Sequence, residues 1–558
     1  MELPVKERVR KRKAIDNLYL DDTYQESSDE GLLFKLRVTK NLSDFKEGEY
    51  VILHKEGMTS GQPCQICSFD ADDNIIISVY ALDKKIDSTW YKIPLILDKN
   101  AVDLRDAVYY NYVFRSGIQD CDVEESFINT LARPQFADED SNSEELDDTI
   151  KNFGFSLTPK QREAILHSMS TDTYYLLQGP PGTGKSFVLA IIILEEVLFF
   201  KRKVAVVGPN HMAINNALIQ VLEKAELPIL KIGQSYYAIE PTEVDEKCKN
   251  GVANVPRVNI YYCNGEKNDT FYVYGFTPHA KYTSRAKGLE YDTLVIDEAG
   301  QLTIPLAMMA MKDAKKIILA SDHKQLPPII STDRIPTKLQ DSIFKRLIQP
   351  YNCTMLDISF RMCGPICEFV STLFYDSKLK PHNTTIGNRL VCGDKLYSYD
   401  KPIVLYHVSD EGEQTSDKEA EQIAQMIIRY INEFHIGAND IAVLSPFRAQ
   451  VANIRKTIRK TKNLSETDKR NIKVDTVDKM QGQEREVIIF SMASGKLSYM
   501  KEMGEFLYNP NKLNVAFSRA KYKLIIVGNL NTMRLLDRAD YPHIYKMLSY
   551  SSAIQLNL

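Results

Sequence analysis

"LLQGPPGTGKSF", Leu176 to Phe187, joins an apolar strand-like run, "YYLLQ", to a long apolar helical one, "SFVLAIIILEEVL". Its spacing fits GxxxxGK[ST], with Gly179, Gly184, Lys185 and Ser186 at the fixed positions. Glycines leave backbone N–H groups uncovered, so these can close around phosphate oxygens, and the helix that follows turns its positive end to the same anion. Gly179, Pro180, Gly182, Thr183, Gly184, Lys185 and Ser186 are therefore read as a nucleotide cradle. In it Lys185 reaches the β- and γ-phosphates and the Ser186 hydroxyl ligates Mg²⁺.

Such a loop requires a second, acidic element on a neighbouring strand, because the metal needs a carboxylate and the attacking water needs a base. "TLVIDEAGQ" supplies one: Asp297 ends an apolar strand as the second Mg²⁺ ligand, and Glu298 orients the water. A solvated turn after a strand would carry the same Asp-Glu pair. The cradle upstream and "SDHKQLPP" downstream, with Gln325 in reach of a γ-phosphate, favour chemistry. If phosphate loss is to move two domains apart, arginines must reach the nucleotide from a second α/β domain, and Arg361 and Arg519 are the candidates there.

The bulk properties leave room for this. A chain of 558 residues with 44% hydrophobic and 26% charged residues suits a soluble protein of three or four domains, and a net charge of −4 confines any polyanion site to a local groove. The longest apolar run is broken by Glu195 and Glu196 and is too short to span a membrane. Nine scattered cysteines suit a reducing compartment, and Cys64 with Cys67 lack the further ligands of a zinc site, so no structural zinc is expected. These features suggest an intracellular protein, cytoplasmic or nuclear, and a monomer.

Along the chain, "KERVRKRK" makes residues 1–30 a basic, flexible N-terminus. Short strand-like pieces then predict a β-barrel-like accessory domain over 31–136, and "ADEDSNSEELDDT" an acidic linker over 137–150. Beyond it, apolar strands alternate with helical periods twice over, which implies parallel sheets built from right-handed βαβ units. The boundaries are set at 151–348, with a short accessory insertion at about 236–272, and 349–558.

The sequence resembles the superfamily 1 helicases over about residues 150–530, in particular the 5′-to-3′ branch that contains the nonsense-mediated-decay RNA helicase. "LTPKQREAI", "GPPGTGKS", "DEAGQ", "SDHKQLPP", "SFRMCGPICEFVSTLFY", "VDTVDKMQGQEREVIIFSMA" and "LNVAFSRAKYKLIIVGN" match its motifs in order. The resemblance implies an α/β fold of two tandem RecA-like parallel-sheet domains, a P-loop NTPase, with the β-rich N-terminal domain as an accessory. It implies Gln161 and Phe360 on adenine, Gly482 and Glu484 at the ribose, and Arg361 and Arg519 as arginine fingers. Phe360 replaces the usual Tyr, Ser321 the usual Gly before Asp322, and Cys363 with Gly364 the usual His before Pro365.

For nucleic acid, the matching positions are Asn210, His211, Thr277, Pro278, Pro446, Arg448 and Thr476, although each also suits a loop or a cap. The expected function is an ATP-dependent, Mg²⁺-requiring helicase or translocase on single-stranded RNA or DNA, moving 5′ to 3′ and open to regulatory protein partners. The rival is an ATP-switched clamp that remodels ribonucleoprotein without processive unwinding.

Overall fold

The computed structural model describes residues 5–10, 14–28, 31–38, much of 50–99, 142–232, 272–282, 289–329, 341–349, 352–390, 401–480 and 482–556, with a few single positions excepted. The expected insertion at 236–272 and the stretch 100–136 lie outside these residues, save Tyr272. The chain divides into two compact units, Met1–Tyr110 and Asn111–Leu558.

The first unit is a closed six-stranded antiparallel barrel. Its strands are β1 (Ala14–Ser28), β2 (Gly31–Arg37), β3 (Tyr50–Lys55), β4 (Gln62–Phe69), β5 (Ile76–Ala81) and β6 (Leu95–Lys99), joined in the order β1-β2-β5-β4-β3-β6. Period-two alternation fills it: Phe34 and Leu36, Val51 and Leu53, Cys64 and Ile66, Ile77 and Val79, Leu95 and Leu97 all point inward and are fully buried. Closure leaves no unpaired edge. The expectation of a flexible N-terminus is corrected for the described residues: Val5–Arg10 is helical and β1 supplies Leu18 and Leu20 to the barrel core. Within the basic run Arg8 is anchored, donating twice to Asp98 at 2.8 Å, and buried His54 meets the same carboxylate at 2.6 Å.

In the second unit, the supposed acidic linker turns into the helix Ser143–Phe153 from residue 143 onward. Its acidic residues Glu144 and Glu145 occupy the first turn, where the helix dipole favours negative charge, while Leu146 and Ile150 share a face that packs into the neighbouring core. Composition alone concealed that i, i+4 pair.

Two parallel sheets follow. The first comprises β7 (Tyr174–Gln178), β8 (Val204–Val207), β9 (Ile229–Lys231), β10 (Val273–Phe276), β11 (Thr293–Asp297), β12 (Lys316–Ser321) and β13 (Cys353–Met355), in the order β13-β7-β12-β11-β8-β10-β9. After the short parallel pair β14 (Ile358–Ser359) and β15 (Lys380–Pro381), the second sheet comprises β16 (Ile403–His407), β17 (Ile441–Ser445), β18 (Lys473–Thr476), β19 (Arg485–Ser491), β20 (Ala520–Gly528) and β21 (Ile554–Leu556), ordered β18-β17-β19-β20-β16-β21. Both are α/β sheets with apolar cores on each face. Central strands such as Leu294–Ile296 and Ile488–Ile489 read as unbroken apolar runs because helices cover both their faces.

The boundary expected at 348/349 is also corrected. β13 pairs with β7, Thr354 opposite Leu177, so the chain is still in the first sheet at Met355. Alternation identifies a strand without saying which sheet it joins.

Candidate active site at the junction of the two sheets

The cradle forms where β7 ends and the helix Lys185–Leu194 begins. Gly182 and Gly184 adopt φ of +73° and +79°, in the left-handed region that disfavours side chains. A Cβ on Gly182 would also stand 2.5 Å from the Cβ of Arg361, so glycine is required there twice over. Thr183 closes the turn by donating from its hydroxyl to the Pro180 carbonyl at 2.8 Å, and Gln161 Nε2 donates to the Thr183 carbonyl at 3.0 Å. Ser186 follows Lys185 in the first turn of the helix.

Lys185 lies between two carboxylates. Its Nζ donates to Asp297 Oδ1 and, at 2.8 Å, to Glu298 Oε1. Burial opposes charge on the lysine, yet the two carboxylates hold its pKa above the ordinary value. Burial likewise works against ionised Glu298, but Lys185 outweighs it and the carboxyl falls below the usual range. Asp297 is the more enclosed, and burial raises it. Glu298 has φ of +56°, an uncommon conformation for a residue with a side chain, and Gln301 Nε2 donates to its Oε2 at 3.1 Å.

Around this trio the two sheets converge. Arg361 Nε pairs with Glu484 Oε2 at 2.5 Å, and Lys521 takes the other oxygen at 2.8 Å. Arg519 Nη2 donates to Gln325 Oε1 at 3.2 Å, and Gln325 Nε2 donates to Asp322 Oδ2 at 2.9 Å. Burial and the neighbouring Arg361 charge push the Arg519 guanidinium down from its usual value, although it stays a cation at neutral pH.

Lys185, Asp297, Glu298, Gln325, Arg361, Arg519, Glu484, Gln161 and the loop glycines are thus brought to one junction. Gly482, with φ of +82°, makes the turn before Glu484. Phe360 is 40% exposed, and its ring lies against His382 with centroids 4.3 Å apart.

Arg361 was expected on the second domain, and that placement is incomplete. Phe360 N donates to the Gly182 carbonyl at 2.8 Å and Ser359 Oγ to the Pro181 carbonyl at 2.9 Å, so the residues just before it are fixed to the cradle. Cys363 N, just after it, donates to the Lys521 carbonyl at 2.9 Å on the second sheet. Cys363 and Cys367 are buried core residues, and burial raises their thiols to about 11 and about 12.

Sequence reading passed over Tyr375, Asn511 and Asn514. Asn511 Nδ2 donates to the carbonyls of His323 and Gln325 at 3.1 and 2.6 Å, and Asn514 Nδ2 to that of Lys324 at 2.7 Å. Their i, i+3 spacing just before Arg519 was the available signal, whereas Tyr375 gave none. Ser321, noted as a replacement, accepts from Gly300 N at 2.7 Å and so joins the end of β12 to the turn after Glu298.

The seven candidate strand-binding residues stand at or just beyond the carboxyl ends of β8, β10, β17 and β18. They form two groups, one on each sheet. Asn210 caps the helix His211–Leu222 by accepting from Ala213 N at 2.9 Å, so its side chain has a structural task. His211 Nδ1 is 2.6 Å from Lys231 Nζ. Burial and that lysine keep the ring neutral down to about 3, and burial lowers Lys231 to about 7. Pro278 is buried, Thr277, Pro446 and Thr476 are half-buried, and Arg448 is exposed.

AAA-domain family models match residues 156–260 with 278–333, and residues 339–531. DNA polymerase alpha-associated DNA helicase A of Schizosaccharomyces pombe is 28% identical over 447 residues, covering 69% of this chain and 65% of that protein. An ATP-dependent helicase of Methanocaldococcus jannaschii is 26% identical, covering 68% of each. DNA replication ATP-dependent helicase/nuclease DNA2 of Saccharomyces cerevisiae is 28% identical over 414 residues, covering 68% of this chain and 26% of that protein. The chain therefore spans about two thirds of the first two relatives and a quarter of the third. No helix among the described residues is long and apolar enough to cross a membrane. The ordered motifs, the two matched AAA domains and the helicase relatives agree on one assignment: this chain belongs to the superfamily 1 helicases.

Proposed function

We propose that the chain is a nucleic-acid-stimulated ATPase that moves along single-stranded RNA or DNA and separates duplexes. The observation that carries this reading is the convergence of Lys185, Asp297 and Glu298 with Gln325, Arg361 and Arg519 across two sheets. The donor chemistry fits Mg²⁺: a hydroxyl on Ser186 and a carboxylate on Asp297 are hard oxygen ligands, and a triphosphate-bound Mg²⁺ takes only one or two from protein. Mg²⁺ supplies charge neutralisation at the phosphates.

In this reading, Lys185 leaves its two carboxylates to meet the β- and γ-phosphates, which frees Glu298 to hold and orient the attacking water. Gln325 senses the γ-phosphate, and Arg361 and Arg519 stabilise the charge that develops on it. Phe360 offers a π face to adenine, Gln161 steadies the loop beside it, and Gly482 and Glu484 stand at the ribose. Tight binding of the triphosphate favours the closed pair of domains, and phosphate release favours their separation. Alternating grip by the residues at the carboxyl ends of β8, β10, β17 and β18 turns this cycle into steps. The relatedness to the nonsense-mediated-decay branch, the 5′-to-3′ polarity, the monomeric state and a place in cytoplasm or nucleus rest on sequence resemblance and composition.

The test is ATPase activity with matched single-stranded RNA and DNA, together with unwinding of duplexes carrying a 5′ or a 3′ tail. Strand-stimulated hydrolysis that disappears in Lys185→Ala, with unwinding from 5′ tails, supports the reading. Hydrolysis unchanged in Lys185→Ala refutes the mechanism, and unwinding from 3′ tails alone refutes the polarity. Stimulated hydrolysis without directed movement would identify the remodelling clamp instead.

A further inference from the structure

Asp322 accepts four hydrogen bonds at the junction. Its Oδ1 accepts from Gln178 Nε2 and from Lys324 N, both at 3.1 Å, and its Oδ2 accepts from Gln325 Nε2 at 2.9 Å and from the Tyr375 hydroxyl at 2.5 Å. Three of these donors belong to the first sheet's domain. Tyr375 belongs to the second, because it ends the helix Gly364–Phe374 and packs in that domain's core. The Tyr375 oxygen in turn accepts from Asn514 Nδ2 at 2.7 Å, and Asn514 also donates to the Lys324 carbonyl at 2.7 Å.

The direction of every bond in this chain is fixed. A tyrosine hydroxyl has one proton, here donated to Asp322, so its oxygen can take only an accepting role toward the Asn514 amide. Burial keeps the phenol protonated, with a pKa well above its ordinary value. Gln325 is oriented as a result: its amide N–H is committed to Asp322, and its oxygen to Arg519. Asp322, Tyr375, Asn514 and Arg519 are all buried, which makes each unsatisfied group costly.

We propose that Tyr375 and Asn514 are positioning residues through which the second α/β domain sets the orientation of Gln325, so that the phosphate-sensing amide is aimed only when the two domains are closed. Separation of the domains withdraws Tyr375 from Asp322, Asn514 from the Lys324 carbonyl, Arg519 from the Gln325 side chain and Asn511 from the His323 and Gln325 carbonyls. The amide is then held by Asp322 alone. Closure restores these bonds together, which couples domain position to chemistry without Tyr375 or Asn514 touching nucleotide. The kinetic half of this proposal rests on the ATPase reading above; the structural half does not.

The experiment uses the full chain and two near-isosteric variants, Tyr375→Phe and Asn514→Asp, each of which removes donated hydrogen bonds while keeping side-chain volume. Hydrogen–deuterium exchange without nucleotide reads the restraint itself. Loss of the one buried bond that each residue gives to this loop, Tyr375 to Asp322 or Asn514 to the Lys324 carbonyl, should raise exchange across His323–Gln325 by about tenfold, with the helix Lys185–Leu194 unchanged. In the strand-stimulated ATPase, kcat should fall by roughly tenfold and the KM for ATP should stay within about twofold, as for an interaction expressed in the reacting state alone. Unchanged exchange across the loop in both variants overturns the proposal, and so does a raised KM with kcat intact. Raised loop exchange in a chain that hydrolyses no nucleotide supports the latch and refutes the ATPase reading, so the two failures are distinguishable.

Discussion

Arg361 and Glu419 show how differently a buried or half-buried charge behaves according to its neighbours. Arg361 shares Glu484 with Lys521, so removing the arginine leaves the carboxylate still paired. Arg361→Ala should therefore fold normally and bind ATP, but lose roughly 10³-fold in hydrolysis, the usual scale for an arginine finger; single-turnover kinetics with a nucleotide-binding titration checks both. Among the described residues Glu419 has no such cationic partner. It stands in the first turn of the helix Asp417–Asn432, accepts from Ser491 Oγ at 2.6 Å and Ala493 N at 3.1 Å, and burial raises its pKa to about 7. Because the native state holds this proton up to about pH 7 and the unfolded chain releases it near 4.5, stability falls as pH rises between those values and stays low above them. Glu419→Gln should stabilise the protein by about 2 kcal/mol at pH 8 and by little at pH 4.5, read from urea midpoints at each pH. An equal gain at both pH values would contradict this account.

At the scale of elements, what was legible followed periodicity. "YYLLQ", "KVAVV", "TLVID" and "KIILAS" read directly as buried parallel strands because helices cover both faces, and the barrel pieces read from their alternation. Three-residue strands escaped: β9, β13 and β21 are too short to carry a period. The phosphate loop was legible because its chemistry is local to one turn. The Asp322–Tyr375–Asn514 chain was not, because its members are 53 and 139 residues apart and meet only in the fold. The candidate strand-binding residues were placed by register, and the sheets set them at strand ends without deciding their roles. Arg448, exposed at the start of the helix Arg448–Lys460, offers the cleanest test of that assignment. Arg448→Ala should weaken binding evenly across sequences and lower the slope of log K against log salt by about 1, as measured by fluorescence anisotropy.

For the molecule as a whole, the barrel has its own apolar core, Ile15 to Leu97, separate from the four clusters of the helicase unit. Each unit should then melt as its own cooperative transition. A non-hydrolysable ATP analogue with Mg²⁺ at about 100 times its Kd should stabilise the helicase unit by about 2.7 kcal/mol and leave the barrel transition where it was. Differential scanning calorimetry with and without the analogue checks this, and an equal shift of both transitions would mean that the units unfold as one.

The backbone around Arg361 has one more consequence. Ser359 and Phe360 are fastened to the phosphate loop, and Cys363 is fastened to β20 beside Lys521, so only Arg361 and Met362 lie between an attachment to one sheet and an attachment to the other. Along this stretch of chain, rotation of the two sheets must be absorbed in those few dihedral angles. Arg361 therefore sits close to the pivot while Arg519 rides on the moving arm. If both arginines reach the γ-phosphate as proposed, a small angular opening carries Arg519 away long before Arg361 has travelled any distance. The two would then not be equivalent hands on one nucleotide: one would act as the fulcrum and the other as the stroke.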